Sequence, residues 1–230
     1  MLFRSRNAWE LGENEDGLLK LAGHSTREEF EQDRLQHAEE IARFCRITPE
    51  KRGFEIGSGD GTVARLLAPK CLALDCNDIS ASFLNLAKTN SAQFSNLSFH
   101  RIESKYVDYL PPETYDFGFS LHVFIHFNAY DILNYLASVK RLLKPNGIFY
   151  FDACSLGEQT MAVFREHAQM YAGHPENIRG FLNYNHPDTV GKLVKEAGLQ
   201  VSSESQLSDH GWMKVVTTKP AASKVRVVQG

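Results

Sequence analysis

Three glycines at alternating positions form the first segment of this sequence that could bind a ligand. They are Gly57, Gly59 and Gly61 in KRGFEIGSGDGTVARLLA, between an apolar run and a helix-like run. A strand, a glycine-rich turn and a helix let backbone N–H groups approach a ligand closely. A dinucleotide fingerprint requires a glycine where Thr62 stands, and a phosphate-binding loop requires a Gly-Lys pair followed by Ser or Thr. Neither pattern fits, and a tight turn without a ligand remains the alternative.

Several histidines could remove a proton from a bound acceptor, because the ordinary pKa of histidine lies nearest neutral pH. These candidates are His122, His126, His167, His174 and His186. His186 directly precedes Pro187, and a helix N-cap explains it equally well. The sequence alone does not select a base from this set.

Alternating strand-like and helix-like runs predict the scaffold that positions these residues. The predicted strands are 53–56, 72–76, 97–102, 115–121 and 147–153, and the predicted helices are 61–67, 80–93 and 130–143. The segment LLKPNG ends the last of these helices, because proline and glycine favour a turn there. The alternation predicts a parallel sheet with helices on both faces.

Both ends of the chain depart from this alternation. Residues 1–48 look helical and acidic, with Ser25 and Glu28 as a capping box, and we expect them to form a helical cap. The central domain is expected over 49–220, with a tail over 221–230.

An insert at 155–185, rich in Met, His, Tyr and Asn, interrupts the central domain. A helix then begins at Pro187 and ends at Gly198. Two strands, 200–207 and 212–218, follow it, and we expect them to pair antiparallel at the sheet edge.

The composition excludes several classes of protein. The chain has 230 residues, 43% of them hydrophobic, and a net charge of −3, which gives no general attraction to nucleic acid or anionic membranes. None of the four cysteines forms a C-x-x-C pair, and we expect Cys71 and Cys154 in the core. Without a signal peptide or a membrane-spanning run, the sequence favours a cytoplasmic protein.

Five segments occur in an order and spacing that are characteristic of one enzyme family. The first, FEIGSGDGTVARLLA, has an acidic residue followed by h-G-x-G-x-G. The others are DISASFLNLAKTN (78–90), FHRIES (99–104), YDFGFSLHVFIHF (115–127) and YLASVKRLLKPNGIFYFD (135–152). Together they resemble class I S-adenosylmethionine-dependent methyltransferases, strongly over 50–153 and in outline over 186–219. The resemblance implies a Rossmann-like three-layer α/β sandwich. Its mostly parallel seven-stranded sheet would end in an antiparallel C-terminal edge hairpin.

The resemblance also implies S-adenosylmethionine as cofactor and places its methionine end near the glycine loop. Glu55 would face that end, together with the loop residues Gly57, Ser58, Gly59, Asp60 and Gly61. Leu121 and His122, where the fourth strand ends, would lie beside the methionine and the sulfonium.

Two aspartates compete for the ribose hydroxyls, since a carboxylate can accept from both oxygens of a diol. Asp78, followed by Ile79, keeps the family's D-x-S-x-x-x-L register and is favoured. Asp75 is the alternative, and would otherwise be a solvated or capping residue. The resemblance also implies an acidic residue that accepts from the adenine amino group. Glu103, with Ser104, is the candidate, and Asp108 is the alternative.

The acceptor is narrowed mainly by motifs that this sequence lacks. LHVFIHF stands where nucleobase amino-methyltransferases carry a Pro-Pro signature, no Pro-Cys nucleophile is present, and SLHVF lacks the acid of magnesium-dependent catechol-type enzymes. Asp152 leaves a weak metal option, but we expect no metal. The sequence thus favours methyl transfer to an oxygen or nitrogen of a small molecule, such as a sugar, a nucleotide sugar or a secondary metabolite.

Such a transfer is an in-line displacement in which positioning alone can contribute roughly 7–11 kcal/mol. A base is needed only when the acceptor loses a proton. His122 and His126 are the catalytic candidates, although packing or capping also explains His126. Arg179 and Tyr184 in the insert could hold the acceptor.

Three other functions remain open at this point. A basic face built from Lys140, Arg141, Lys144 and the segment 214–226 would favour a protein or RNA methyltransferase. A non-catalytic cofactor-binding protein would keep the loop and lose the acceptor site. An NAD-dependent dehydrogenase is more distant. We expect no nucleic-acid partner and no membrane association, and the sequence does not predict an oligomeric state.

Overall fold

The structure, a computed structural model, describes residues 25–103, 106–173 and 181–221. Its strands are β1 (Arg52–Ile56), β2 (Ala73–Asp78), β3 (Leu97–Arg101), β4 (Tyr115–Ser120), β5 (Leu143–Cys154), β6 (Gln200–Val201) and β7 (Trp212–Thr218). Its helices are α1 (Arg27–Phe44), α2 (Thr62–Leu67), α3 (Ala81–Asn90), α4 (Ala129–Leu142), α5 (Met161–Gly173) and α6 (Pro187–Glu196). Short 3-10 turns follow α2 at Ala68–Lys70 and precede α4 at Phe124–His126.

The strands form one seven-stranded sheet in the order β3-β2-β1-β4-β5-β7-β6. The pairs β3-β2, β2-β1, β1-β4 and β4-β5 are parallel, whereas β7 is antiparallel to both β5 and β6. This confirms the predicted fold class, including the antiparallel pair at the C-terminal edge. The chain order reverses between β1 and β4, and in open α/β sheets ligands bind outside the strand ends at such a point.

Successive side chains of each strand point to opposite faces of the sheet, and an apolar layer packs on each face. Phe149 and Phe151 of β5 pack with α4 and α6. Ile148 and Tyr150 alternate with them along β5, point to the other face of the sheet, and pack with α1 and α2. The predicted buried positions of Cys71 and Cys154 are confirmed, and both thiols are free.

Helix α1 packs on the sheet through its C-terminal half. The ring of Phe44 stacks on Tyr150, with ring centroids 5.5 Å apart, and Ala38 and Ile41 are buried in the same layer. The predicted capping box is wrong by one residue. Thr26 and Glu29 form it, and Ser25 lies outside the helix.

Several strand boundaries differ from the prediction by one residue, and three differ by more. β5 begins at Leu143 rather than 147. β2 continues to Asp78 rather than stopping at 76, because the Asn77 side chain donates to the Glu55 and Asp75 carbonyls and is satisfied inside the sheet. β6 stops at Val201 rather than 207. There the Ser205 hydroxyl donates to the Val216 carbonyl and accepts from its N–H, replacing strand pairing.

The helix after the insert is confirmed in detail. The ring Nδ1 of His186 accepts from the Asp188 N–H and caps α6, Pro187 is its first residue, and Gly198 ends it with a φ of 76°. The insert itself contains α5, and none of the side chains of α5 is buried. His174 and Arg179 of the insert, and the tail from residue 222, lie outside the described residues. Within the part that the structure describes, no helix is both long and apolar enough to cross a membrane.

Candidate active site

Four neighbouring strands bring polar groups to the same edge of the sheet. Glu55 lies near the end of β1, Asp78 ends β2, His122 follows β4, and Asp152 lies near the end of β5. Since these strands are parallel, their carboxyl ends meet in the crevice beside β1. The structure therefore brings together the predicted methionine-side residues and Asp78, and it adds Asp152 to them.

The loop after β1 owes its shape to its glycines. Gly57, Gly59 and Gly61 have left-handed φ angles of 81°, 51° and 78°. A Cβ on Gly57 would lie 2.1 Å from Cγ2 of Val123, whereas a Cβ on Gly59 would meet no atom within 4 Å. The backbone at Gly59 therefore borders open space, where a ligand can approach it closely.

Backbone N–H groups of this loop already have acceptors within the protein. Those of Gly57 and Ser58 donate to the Asn77 carbonyl at 2.6 and 3.1 Å. That of Gly59 donates to Oδ2 of Asp78 at 2.9 Å. The loop is thus hydrogen-bonded to the end of β2, and these N–H groups are not available to donate to a ligand.

Asp60 and Ser58 differ in how their side chains are satisfied. The Asp60 carboxylate accepts from the backbone N–H and the hydroxyl of Thr62, at 3.1 and 2.7 Å, just before the start of α2. The Ser58 hydroxyl is buried and has no hydrogen-bond partner. Of the two, only Ser58 has a polar atom that the protein leaves unsatisfied.

Asp78 lies at the crevice. Its carboxylate accepts from the backbone N–H groups of Gly59 and Ser80, each at 2.9 Å. It thereby joins the glycine loop to the start of α3, while Ile79 packs against the apolar layer beside it.

Asp75 lies in the middle of β2, away from the strand ends. Its carboxylate accepts from Arg52 Nη2 at 2.7 Å, from His100 Nε2 at 2.9 Å and from the Tyr115 hydroxyl at 3.0 Å. Asp75 is 4% exposed, so the alternative that it is a solvated residue is wrong. Burial alone would raise its pKa, but the His100 and Arg52 hydrogen bonds hold the pKa below its ordinary value.

Glu55 is 2% exposed and its Oε2 atom has no hydrogen-bond partner. Burial, and secondarily the nearby Asp78 carboxylate, raise its pKa from 4.5 to about 8. An unsatisfied buried carboxyl group of this kind is costly, and it is the arrangement expected of a group that meets a cation in a ligand.

His122 is held by contacts of its backbone and its ring, and the ring contact fixes the tautomer. Its backbone, with a left-handed φ of 56°, donates its N–H to both carboxylate oxygens of Asp152 at 2.8 and 2.9 Å. Arg34 of α1 donates from Nη1 to the ring Nδ1 at 2.9 Å. Burial and the Arg34 charge lower the pKa of the ring from 6.5 to about 3. The neutral ring therefore carries its proton on Nε2, which makes it a donor rather than a base.

The sequence profile of a methyltransferase domain matches residues 54–149, which run from β1 into β5. The strand order and the glycine loop agree with it. Residues 54–149 are therefore a methyltransferase domain, and the fold is that of the class I S-adenosylmethionine-dependent methyltransferases. The domain and the fold support S-adenosylmethionine as the cofactor. No curated protein sequence matches the chain.

Solved structures with the same fold act on different molecules. Magnesium protoporphyrin IX methyltransferase from Synechocystis PCC 6803, with bound S-adenosylhomocysteine, gives a TM-score of 0.63 at 14% identity, over 93% of this chain and 92% of its own. Phosphoethanolamine N-methyltransferase 2 from Haemonchus contortus gives a TM-score of 0.60 at 16% identity, over 80% of this chain and 53% of its own. The 4+2 cyclase SpnF gives a TM-score of 0.63 at 14% identity, over 81% of this chain and 82% of its own. Identities this low show a common fold and leave the acceptor open.

In this methyltransferase, His126 has the opposite tautomer to His122. Its Nδ1–H donates to the Phe181 carbonyl at 3.2 Å, so the neutral ring keeps its lone pair on Nε2. Burial lowers the pKa of His126 below 6.5, and the ring is neutral at pH 7. Its Nε2 atom therefore has the protonation state that a general base requires.

A short segment of the insert, 181–185, runs along the loop between β4 and α4. Asn183 donates to the Ile125 and His126 carbonyls at 2.7 and 2.5 Å. The Asn185 side chain donates to the Phe127 carbonyl at 3.1 Å. These bonds fix the segment beside His126, the candidate base. A segment that covers the acceptor would lie in this position.

Aromatic rings of the insert gather at this cover. The His167 ring stacks on Phe181 with centroids 4.7 Å apart, and Phe164 meets Tyr184 edge to face at 5.5 Å. The Tyr184 hydroxyl is buried and has no hydrogen-bond partner. Tyr184 therefore remains a candidate for contact with an acceptor.

The adenine-side candidates are less well placed. Glu103 is exposed just beyond β3, and Ser104 lies outside the described residues. The Asp108 carboxylate accepts from the Ser138 hydroxyl at 2.6 Å and lies 3.8 Å from Arg141, so it is engaged with α4. Leu121 is buried at the end of β4, as expected for a residue that packs beside a ligand.

Sequence reasoning missed Arg34 altogether. Arg34 stands four residues after Phe30 and seven before Ile41, and both of these are buried. An arginine on the apolar stripe of an amphipathic helix is the signal that could have revealed it. For the residues that the structure places, no cluster of three or more His, Cys, Asp or Glu forms a metal site.

Proposed function

We propose that this methyltransferase transfers the methyl group to an oxygen or nitrogen of a small molecule, with sugars, nucleotide sugars and secondary metabolites as the preferred classes. One observation carries the proposal, namely that two segments outside the sheet contact the loop after β4. α1 reaches His122 through Arg34, and the segment 181–185 is bonded to the carbonyls of 125–127. A crevice flanked by two such segments suits a small acceptor better than a polymer.

S-adenosylmethionine supplies an electrophilic methyl group carried on a sulfonium. Two features of the crevice fit it, the unsatisfied Oε2 of Glu55 and the open space beside Gly59. We assign Glu55 to the α-ammonium group and Asp78 to the ribose hydroxyls. Leu121 and His122 line the methionine side, and Glu103 the adenine side.

His126 is the base that we assign where the acceptor must lose a proton. Its Nε2 atom would take the hydroxyl proton as the acceptor oxygen bonds to the methyl carbon and the sulfur recovers its electron pair. His122 presents Nε2–H and orients neighbouring groups instead.

The first test is calorimetric titration with S-adenosylmethionine and S-adenosylhomocysteine, with NADH as the control. We expect binding of the two sulfur nucleotides only. A panel of hydroxylated and amino acceptors is then assayed by S-adenosylhomocysteine release and by the mass gain of one methylene unit. Cofactor binding without turnover on any acceptor would contradict the proposal, and one structural neighbour is indeed named as a cyclase.

The base assignment has its own test on a hydroxyl acceptor. His126→Gln should lower kcat by about 10²- to 10⁴-fold with S-adenosylhomocysteine affinity unchanged, since general base catalysis contributes that much. His186→Gln, at the N-cap of α6, is the matched control and should keep most of kcat. A loss of that size from His122→Gln, with His126→Gln still active, would assign the base to His122.

The polymer alternative gains no support from the predicted basic face. The Arg141 guanidinium donates to the Leu110 carbonyl, Lys144 pairs with Asp116 at 2.8 Å, and Lys214 pairs with Glu40. These charges are largely compensated within the protein, which weakens their attraction for a polyanion.

A further inference from the structure

Arg34 enters the crevice from α1 and is almost enclosed there. Its side chain is 12% exposed. The guanidinium carbon lies 4.8 Å from the centre of the Phe30 ring, and Nη1 donates to His122 Nδ1 at 2.9 Å. Nη1 also lies 3.5 Å from Oδ2 of Asp33. A guanidinium has five N–H donors, so these two contacts, both at Nη1, leave Nη2 and Nε for other acceptors.

Carboxylates surround this guanidinium from several elements. Burial lowers the pKa of Arg34, and the charges of Asp33, Asp60, Asp152 and Glu55 oppose that change. These acids come from α1 itself, the glycine loop, β5 and β1. Without Arg34, those of these acids that are ionised would repel the carboxylate of an amino acid that entered the crevice.

The glycine loop does not compensate for that repulsion. The N–H groups of Gly57, Ser58 and Gly59 are already donated to Asn77 and Asp78, and Gly61 donates to the Ser58 carbonyl at 2.9 Å. α2, which follows, has only six residues. Four of the five N–H groups of the loop are thus already donated, and a side chain is the better source of donors for a carboxylate at the methionine end.

We propose that Arg34 binds the α-carboxylate of the methionine moiety, opposite Glu55 on the α-ammonium group. This inference rests on the proposed function. A guanidinium matches a carboxylate with two parallel hydrogen bonds. The assignment makes α1 part of the cofactor site, and it links the bound carboxylate to the His122 ring through one side chain.

A pair of ligands separates this role from a general effect on the fold. S-adenosylhomocysteine carries the carboxylate, whereas 5′-methylthioadenosine has the same adenine and ribose without the amino-acid part. Arg34→Gln should weaken S-adenosylhomocysteine binding about 10- to 100-fold, as expected for loss of a charged hydrogen bond. It should leave 5′-methylthioadenosine affinity within about twofold of that of the wild type.

Arg43→Gln is the matched control. Arg43 lies on the same helix, and its guanidinium carbon lies 3.9 Å from the centre of the Phe44 ring. This variant removes the same charge and should leave both affinities unchanged. If Arg34→Gln does not fold, Arg34→Lys keeps the charge without the planar fork and should weaken S-adenosylhomocysteine binding selectively, by a smaller factor.

The outcomes are distinct. Equal losses for both ligands, or no loss for either, would overturn the assignment of Arg34. Failure of the wild type to bind S-adenosylhomocysteine, by contrast, would overturn the proposed function and this inference with it.

Discussion

Asp75 in the middle of β2 and Glu55 near the end of β1 are both buried carboxyl groups, yet the protein satisfies only one of them. Asp75 accepts from Arg52, His100 and Tyr115. Oε2 of Glu55 accepts from nothing. Their pKa values accordingly move apart, that of Asp75 down and that of Glu55 up to about 8.

The contrast separates stabilising charges from binding charges. A buried carboxylate that is fully hydrogen-bonded has little left to offer a ligand, and removing it leaves its donors unsatisfied. A buried carboxyl group with one oxygen left unsatisfied costs stability until a ligand supplies the missing partner. The buried charge in the middle of the sheet therefore stabilises the fold, whereas the one at the carboxyl ends of the strands is suited to bind a ligand.

The largest expected effect is on stability, from Asp75→Ala. The change removes the shared acceptor of Arg52, His100 and Tyr115, and we expect the free energy of unfolding to fall by about 3 kcal/mol. Urea denaturation monitored by circular dichroism measures it. Glu113→Ala, which removes an exposed carboxylate that is paired only with Lys219, is the control and should change stability little. A loss no larger than that of the control would mean that the buried network does not stabilise the fold.

The next effect is on binding, from Asp78→Ala. Loss of a charge-assisted hydrogen bond to the ribose should weaken S-adenosylhomocysteine binding by about 1.5–3 kcal/mol, which calorimetry measures directly. Asp75→Ala, assayed in the folded state, should have the smaller effect on affinity. If Asp75→Ala weakens binding more than Asp78→Ala does, the contrast between the two aspartates is wrong.

The fold and the register of Asp78 could be predicted from sequence because both depend on local pattern. Strand–helix alternation predicts the layers, and D-x-S-x-x-x-L places Asp78 two residues before Ser80, the N-cap of α3. The capping box of α1 shows the limit of local pattern. Ser25 with Glu28 and Thr26 with Glu29 both satisfy it, and only the structure selects the second pair.

The partners of buried charges could not be predicted, because they come from distant parts of the chain. Arg52, His100 and Tyr115 lie 23, 25 and 40 positions from Asp75, and Arg34 lies 88 positions from His122. The tautomers of His122 and His126 depend on such partners. The sequence could therefore name both histidines as candidates but could not distinguish donor from acceptor.

The last expected effect is on pH dependence, from Glu55→Gln. With its pKa raised from 4.5 to about 8, folded Glu55 keeps a proton that the unfolded chain releases between these pH values. The free energy of unfolding must therefore fall as pH rises through this window, by at most about 1.4 kcal/mol per pH unit for one proton. Glu55→Gln should remove that part of the slope, and Glu113→Gln should not.

The same variant tests whether Glu55 meets a cation. A bound α-ammonium group favours the ionised carboxylate, so the wild type should release a proton at pH 7 when S-adenosylhomocysteine binds, and its affinity should rise toward pH 8. Calorimetry in two buffers of different ionisation enthalpy measures the release, and Glu55→Gln should show none. Equal release by both proteins would assign the proton to another group, and the unsatisfied oxygen of Glu55 would then be a cost of the fold rather than a site for the cofactor.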